Sequence, residues 1–313
     1  MAPTILIVGA TGNTGRSVTE TLAKLLPTSP NLSDHRILAL TRSLASPAAQ
    51  KLANLPGVEI LEKPWVDITA DWLREQQVTR AFIASHNEPT QFAEESTFYL
   101  ASLKAGVKYV VRISTTAANV HPDCDAYYPR SHWAIEALLS SPEFSNLQWT
   151  SLQPNIFTPL YLYPAVEFIK NYRQTGKQDT LRLIASEDAP VGIIHPDDVG
   201  VFAAHLLSQD NPSTHNKAKY VLNGPVDITG RDIVNMVEKY IGTGVKDVTY
   251  KDTSFIDSYI PPDSPFKSLI LSAKNAPKTA WEGKCTVSTT SKEVLEIAAP
   301  TITPGDVLKG LLE

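Results

Sequence analysis

Three glycines near the start of the chain, Gly9, Gly12 and Gly15, stand at the spacing G-x-x-G-x-x-G. They follow the apolar run Thr4–Val8 and precede a stretch with helical patterning. Gly9 permits a sharp turn out of a strand. Gly12 lets backbone come close to phosphate, and Gly15 lets a helix pack against the strand. The unpaired N–H groups and positive dipole end of that helix hold an anion, with Thr11, Asn13 and Thr14 completing the turn. The chemistry this spacing supports is the binding of a pyrophosphate.

In an open parallel sheet the ligand lies at the carboxyl ends of the strands, so the residues there are the ones to inspect. Strand 2 ends in Thr41-Arg42. Arg42 cannot accept hydrogen bonds from a ribose diol as an acidic residue would, but it pairs well with a 2′-phosphate. The expected cofactor is therefore NADP(H), with Arg16 in the first turn of helix 1 as a second phosphate contact. Asp67 after strand 3 suits the adenine amino group, or equally a helix N-cap. Ser85, His86 and Asn87 after strand 4 belong near the nicotinamide-side ribose, with His86 toward the reacting ring. Ser114 and Thr115 end strand 5, where hydroxyls polarise a carbonyl or serve as turn caps. Pro154 and Asn155 close strand 6 on the cofactor side. Phe157 and Tyr161 beyond them suit a flat or aromatic substrate, or simple core.

Placing these residues together requires strand–helix alternation. Strands are expected at Thr4–Val8, Arg36–Thr41, Val58–Leu61, Arg80–Ala84, Tyr109–Ile113 and Trp149–Gln153. Helix-length segments lie between them, including Ser131–Leu139. That rhythm predicts an α/β, Rossmann-type, doubly wound parallel sheet. The dinucleotide domain is assigned to residues 1–155, with return segments near 191–206 and 217–223. A smaller C-terminal substrate lobe takes residues 156–190 and 224–313. Asp197 or Asp198 is expected to cap the helix ending at Leu207. The stretch Tyr259–Phe266, with Pro261, Pro262 and Pro265, reads as a lid or as a plain surface loop.

With a net charge of -5 and 19% charged residues, the chain offers no basic surface for nucleic acid. Two cysteines far apart in sequence, Cys124 and Cys285, suggest neither a metal site nor a disulfide framework. Strand 1 begins at Thr4, leaving no room for a signal peptide, and no apolar run reaches the length of a membrane span. A cytoplasmic protein, monomer or homodimer, is expected.

The chain resembles the NmrA-like family of atypical short-chain dehydrogenase/reductases over nearly its whole length. The residues that carry the resemblance include Gly9-Ala-Thr-Gly12-Asn-Thr-Gly15, Thr41-Arg42, Ala105-Gly106-Val107-Lys108, Ser114-Thr115, Gln153-Pro154-Asn155-Ile-Phe157, Gly192-Ile-Ile-His-Pro-Asp197-Asp198 and Asn223-Gly224-Pro225. The resemblance implies NADP(H) on a Rossmann domain. It also implies one of two roles: reductase of quinones, conjugated carbonyls or imine-type molecules, or catalytically silent cofactor sensor with a regulatory protein partner. In the wider superfamily the working set is a serine or threonine after strand 5 and a Tyr-x-x-x-Lys pair. The matching stretch here is Tyr128-Pro-Arg-Ser-His132. Tyr128 falls in the tyrosine position, with Tyr127 an equally placed rival. His132 occupies the lysine position, where it donates a proton, holds the ribose or orders the loop. Pro129 predicts a helix that begins after Tyr128.

Overall fold

The computed structural model describes residues 2–261 and 263–313. The first half alternates β1 (Thr4–Val8), α1 (Gly15–Leu25), β2 (Arg36–Thr41), α2 (Pro47–Ala53), β3 (Val58–Glu62), α3 (Ala70–Glu75), β4 (Val78–Ile83), α4 (Gln91–Ala105), β5 (Tyr109–Ile113), α5 (Tyr127–Ser140) and β6 (Gln148–Pro154). The rest runs α6 (Thr158–Thr175), β7 (Leu181–Arg182), α7 (Pro196–Leu207), β8 (Ala218–Leu222), α8 (Gly230–Ile241), β9 (Val248–Thr249), α9 (Lys267–Leu271), α10 (Lys278–Trp281), α11 (Lys292–Ala298) and α12 (Pro304–Leu312).

Seven strands form one parallel sheet in the order β3-β2-β1-β4-β5-β6-β8. All five residues of β1 are buried, as a strand covered on both faces requires. On one face Val18 and Leu22 of α1 meet Phe202 and Leu206 of α7. On the other, Phe98 of α4 and Ile135 and Leu139 of α5 pack with Trp149. This is the doubly wound α/β architecture that the alternation predicts. Strand order reverses between β1 and β4, which opens a crevice at their carboxyl ends.

A third apolar cluster gathers Leu162 and Ile169 of α6, Leu183, Ile193, Ile233 and Val237 of α8, and Leu308 of α12. β7 and β9 pair apart from the main sheet. In the proline stretch, Pro262 lies outside the described residues.

Two local expectations are corrected. α5 begins at Tyr127, so Tyr128 is inside the helix and Pro129 is its third residue. First-turn N–H groups have no acceptor within a helix, so proline there removes no hydrogen bond. The cap of α7 is neither Asp197 nor Asp198: the His195 side chain accepts from Asp197 N–H at 3.2 Å. Asp198 instead accepts from the backbone of Thr301 at 3.2 Å and Ile302 at 3.1 Å, tying the C-terminal segment to α7.

Candidate active site

The turn after β1 is a cradle of backbone. Gly9 has φ +80°, and a Cβ there would stand 2.8 Å from the Ala84 carbonyl oxygen. A Cβ on Gly15 would stand 2.1 Å from the Gly9 oxygen. Only glycine fits either position. No side chain caps the first turn of α1. The Arg16 N–H donates to the Gly12 carbonyl at 3.3 Å, and the Gly15 and Ser17 N–H groups and the positive helix end remain for a ligand. Gly9, Thr11, Gly12, Asn13, Thr14 and Gly15 line a cleft of about 1280 Å³. That exceeds the roughly 300–1,000 Å³ of common small-molecule sites and leaves room for a dinucleotide with a second molecule. The glycine cradle and open helix end fit a pyrophosphate.

The residues of the expected phosphate edge divide. Arg42 lines the cleft and is exposed. Arg16 does not line it. Its guanidinium holds Asp197 at 3.0 and 3.2 Å and joins α1 to α7. Asp67 does not line it either: Pro64-Trp65-Val66-Asp67 forms a short turn that carries Asp67 outward to an exposed position. The cap of α3 is Thr69, which accepts from Trp72 N–H at 3.2 Å. Lys63 and Trp65 line the cleft in its place. The sequence signal for Lys63 was its position directly after β3, the same criterion that singled out Arg42.

Beneath the β4 edge lies a buried polar network. Arg112 on β5 is 0% exposed and reaches Glu95 at 3.2 Å and Glu136 at 3.7 Å, both also buried. Burial works against the Arg112 charge, but Glu95, Tyr99 and Glu136 outweigh it and hold the guanidinium pKa above its ordinary value. Burial likewise raises the Glu136 carboxyl, and Arg112, Ser151 and Lys219 pull it below its ordinary value.

This network corrects the assignment of His132. Arg112 Nη2 donates to His132 Nδ1 at 2.8 Å, and a guanidinium can only donate. The ring is therefore neutral, its proton on Nε2, which donates to Asn87 Oδ1 at 3.1 Å. Burial, then Arg112, holds the pKa of His132 well below 6.5. His132 is no proton donor to a substrate. It positions Asn87, leaving the Asn87 amide N–H to the cleft that it lines. The linkage is testable. Unfolded His132 takes up a proton below about pH 6.5 and folded His132 does not. Stability is thus fully present above that pH and falls on acidification by about 1.4 kcal/mol per pH unit for this one proton. His132→Gln is expected to remove that increment from the acid limb of a denaturant-midpoint series. An unchanged limb would mean that His132 protonates in the folded protein.

Other strand-end residues divide sharply. Ser85 Oγ turns inward to Glu95. His86 Nε2 meets Glu94 at 2.6 Å while Nδ1 accepts from Glu88 N–H at 3.1 Å, so neither nitrogen is left to face a reacting ring. Asn155 lines the cleft beside Pro154. Its amide donates to Asn223 at 3.0 Å and to the Cys285 carbonyl at 2.9 Å and accepts from Ile156 N–H at 2.8 Å, so it is a structural tie. The Tyr127 hydroxyl donates to the Asn87 carbonyl, which sets Tyr128 apart as the tyrosine left to the cleft.

Ser114, Thr115 and Tyr128 all line the cleft, and the Tyr128 hydroxyl bonds to Thr115. Ser114 is 6% exposed, and its Oγ is buried with no hydrogen-bond partner among the described residues. Burial pushes the Tyr128 hydroxyl up to about 12, with the hydrogen bond to Thr115 acting the other way. Tyr128 therefore keeps its proton at neutral pH. Phe157 and Tyr161 line the cleft as expected, and Tyr161 also belongs to the third core cluster. The C-terminal segment adds Phe255, Ile256, Ile270 and Trp281, residues from short helices far along the chain that sequence patterning did not assign to the site. No helix among the described residues is long and apolar enough to cross a membrane.

A doubly wound parallel sheet, a glycine cradle at its crossover and a cleft over its carboxyl edge define a Rossmann-type protein. The chain belongs to the NmrA-like family, whose model matches residues 1–273. Solved structures of similar fold include the NADPH-dependent quinone oxidoreductase of Escherichia coli in complex with NADPH. It is 22% identical, with a TM-score of 0.73 over 99% of this chain and 100% of that one. The triphenylmethane reductase of Citrobacter sp., complexed with NADP(H), is 18% identical, with a TM-score of 0.70 over 99% and 100%. The negative transcriptional regulator NmrA is 15% identical, with a TM-score of 0.67 over 99% and 95%. No curated protein matches the sequence at a significant level.

Proposed function

We propose that this protein binds NADP(H) and reduces a small quinone, conjugated carbonyl or imine-type molecule. The observation that carries the reading is the buried, unpartnered Ser114 hydroxyl in a cleft that Tyr128 also lines. An unsatisfied buried hydroxyl costs about 1–3 kcal/mol, and a ligand oxygen there would remove that cost. The backbone cradle of Gly9, Gly12 and Gly15 would hold the pyrophosphate and Arg42 the 2′-phosphate. Bound NADPH supplies a hydride, so the balance is acceptor plus NADPH plus one proton, giving the dihydro product and NADP+. Ser114 and Tyr128 supply hydrogen bonds to the oxygen on which negative charge develops. With its proton held firmly, Tyr128 stabilises that charge by donation. Quinone acceptors ask least of it, because a hydroquinone anion is itself well stabilised.

The test is NADPH oxidation by the purified protein against quinones, enones, aldehydes and cyclic imines, after calorimetry of NADPH binding. Tyr128→Phe and Ser114→Ala are each expected to lower kcat by about 100- to 1,000-fold, the scale of one lost transition-state hydrogen bond, with NADPH affinity nearly unchanged. Full activity in both variants would remove these residues from the mechanism.

One observation favours a second reading, a non-catalytic cofactor sensor: the helical position of a catalytic lysine holds His132, engaged on both ring nitrogens. Tight NADPH binding without turnover, and a protein partner whose affinity differs between NADPH and NADP+, would support it.

A further inference from the structure

We infer that the acceptor end of the cleft takes an uncharged, flat, largely apolar molecule with a hydrogen-bonding carbonyl, and excludes phosphate-, carboxylate- and sulfonate-bearing molecules. The inference rests on the reductase reading above. It comes from how charge is distributed around the cleft. The lining residues of formal charge, Arg42, Glu62, Lys63, Glu88 and Glu94, come from the ends of β2 and β3, the loop after β4 and the first turn of α4. From Ile113 onward, no Lys, Arg, Asp or Glu among the described residues lines it.

The polar groups of that end are largely engaged with one another. Trp281 Nε1 donates to the Ile184 carbonyl at 2.8 Å. The Thr279 hydroxyl donates to Asn119 Oδ1 at 2.9 Å, and Asn119 Nδ2 donates to the Ala276 carbonyl at 3.0 Å. Two lysines of the C-terminal segment pair outside the lining: Lys274 with Asp257 at 2.7 Å and Lys278 with Asp125 at 2.9 Å. The Ser114 hydroxyl is left without a partner among the described residues, and the Tyr128 hydroxyl, already bonded to Thr115, lines the same cleft with Phe157, Leu160, Phe255 and Trp281. An anion placed there would lose its water and gain no counter-charge, and that cost grows steeply as the surroundings become apolar. A neutral carbonyl satisfies Ser114 and buries its rings. A nucleotide-linked sugar finds nothing there for a diphosphate, which sets this end apart from redox-neutral chemistry on such substrates.

The experiment compares 1,4-naphthoquinone with its 2-sulfonate as acceptors for the whole protein, with NADPH binding measured separately by calorimetry. The sulfonate withdraws electrons and makes the ring the better hydride acceptor, so reactivity alone favours the anion. Work at 0.3 M salt screens the overall negative charge of the protein to within a few ångströms. The expected result is a kcat/KM at least about 20-fold higher for the neutral quinone. Leu160→Arg, at a half-exposed lining position, is expected to narrow that ratio about fivefold, because it supplies the missing counter-charge. Equal or reversed preference, or no effect of Leu160→Arg, overturns the inference. If NADPH binds but neither quinone is reduced, the reductase reading fails, and calorimetric binding of the two quinones decides. Binding of the neutral one alone sustains the charge exclusion, and equal binding or none overturns it. If NADPH does not bind, the cofactor reading fails, and the same quinone-binding comparison is made on the free protein.

Discussion

Arg42→Ala is expected to weaken NADPH binding by about 10- to 100-fold while changing NADH binding by less than about threefold. Hydrogen bonds to a charged group contribute about 1.5–3 kcal/mol, and 1.4 kcal/mol is tenfold in affinity. Arg42 stands exposed at the β2 edge of the cleft, and among the described residues it makes no ion pair that would hold it elsewhere. The nearby acidic side chain, Glu62, accepts from Leu44 N–H at 2.9 Å, so it is occupied in fixing the loop after β2. Lys63 adds a second positive charge to this edge. Its ammonium lies 5.2 Å from the centre of the Trp72 ring, so Lys63→Ala is expected to cost NADPH affinity less than Arg42→Ala. Calorimetry with both cofactors checks this. Equal losses for NADPH and NADH would mean that Arg42 does not read the 2′-phosphate.

Arg112→Met is expected to have the largest effect on stability, about 3–5 kcal/mol, the usual cost of breaking a fully buried ion pair from one side. Both partners are buried with it. Glu136 would keep Lys219 at 3.0 Å. Glu95 would keep only neutral partners, Tyr99 at 2.8 Å and Gln91 at 3.0 Å among them. The pH dependence has its origin in the same charges. Arg112 helps to hold the Glu136 carboxyl below its ordinary value, so the wild type gains stability above the unfolded carboxylate pKa and loses it as pH falls through the folded one. Without Arg112 the buried Glu136 carboxyl becomes easier to protonate, and acid relieves the variant. The gap between wild type and variant is expected to be widest near pH 7 and to narrow toward pH 4.5. Guanidinium midpoints at the two pH values check this. A gap below about 0.5 kcal/mol at pH 7, the scale of ordinary surface substitutions, would mean that the site relaxes or admits water.

The chain order of apolar runs, the glycine spacing and Arg42 are local features. Through them the sequence by itself determined a parallel doubly wound sheet, its first crossover and a positive charge at the β2 edge of the cleft. A strand buried on both faces must be apolar throughout, and an αL turn at Gly9 must be glycine. Pairings across long separations were not legible. Arg16 reads as a phosphate ligand until α7 brings Asp197 to its side, and Asp67 reads as an adenine contact until Pro64-Trp65-Val66 turns it outward. His132 reads as a proton donor, a ribose contact or a residue that orders the loop, until Arg112, twenty residues earlier on β5, occupies its Nδ1 and leaves Nε2 to Asn87. Asn155 reads as a ligand contact until the Cys285 carbonyl reaches it from the far end of the chain. Whether a polar side chain serves a ligand or the fold depends on which donors and acceptors stand within about 3 Å of it. Only the tertiary structure decides that, because it brings together residues that no spacing along the chain relates.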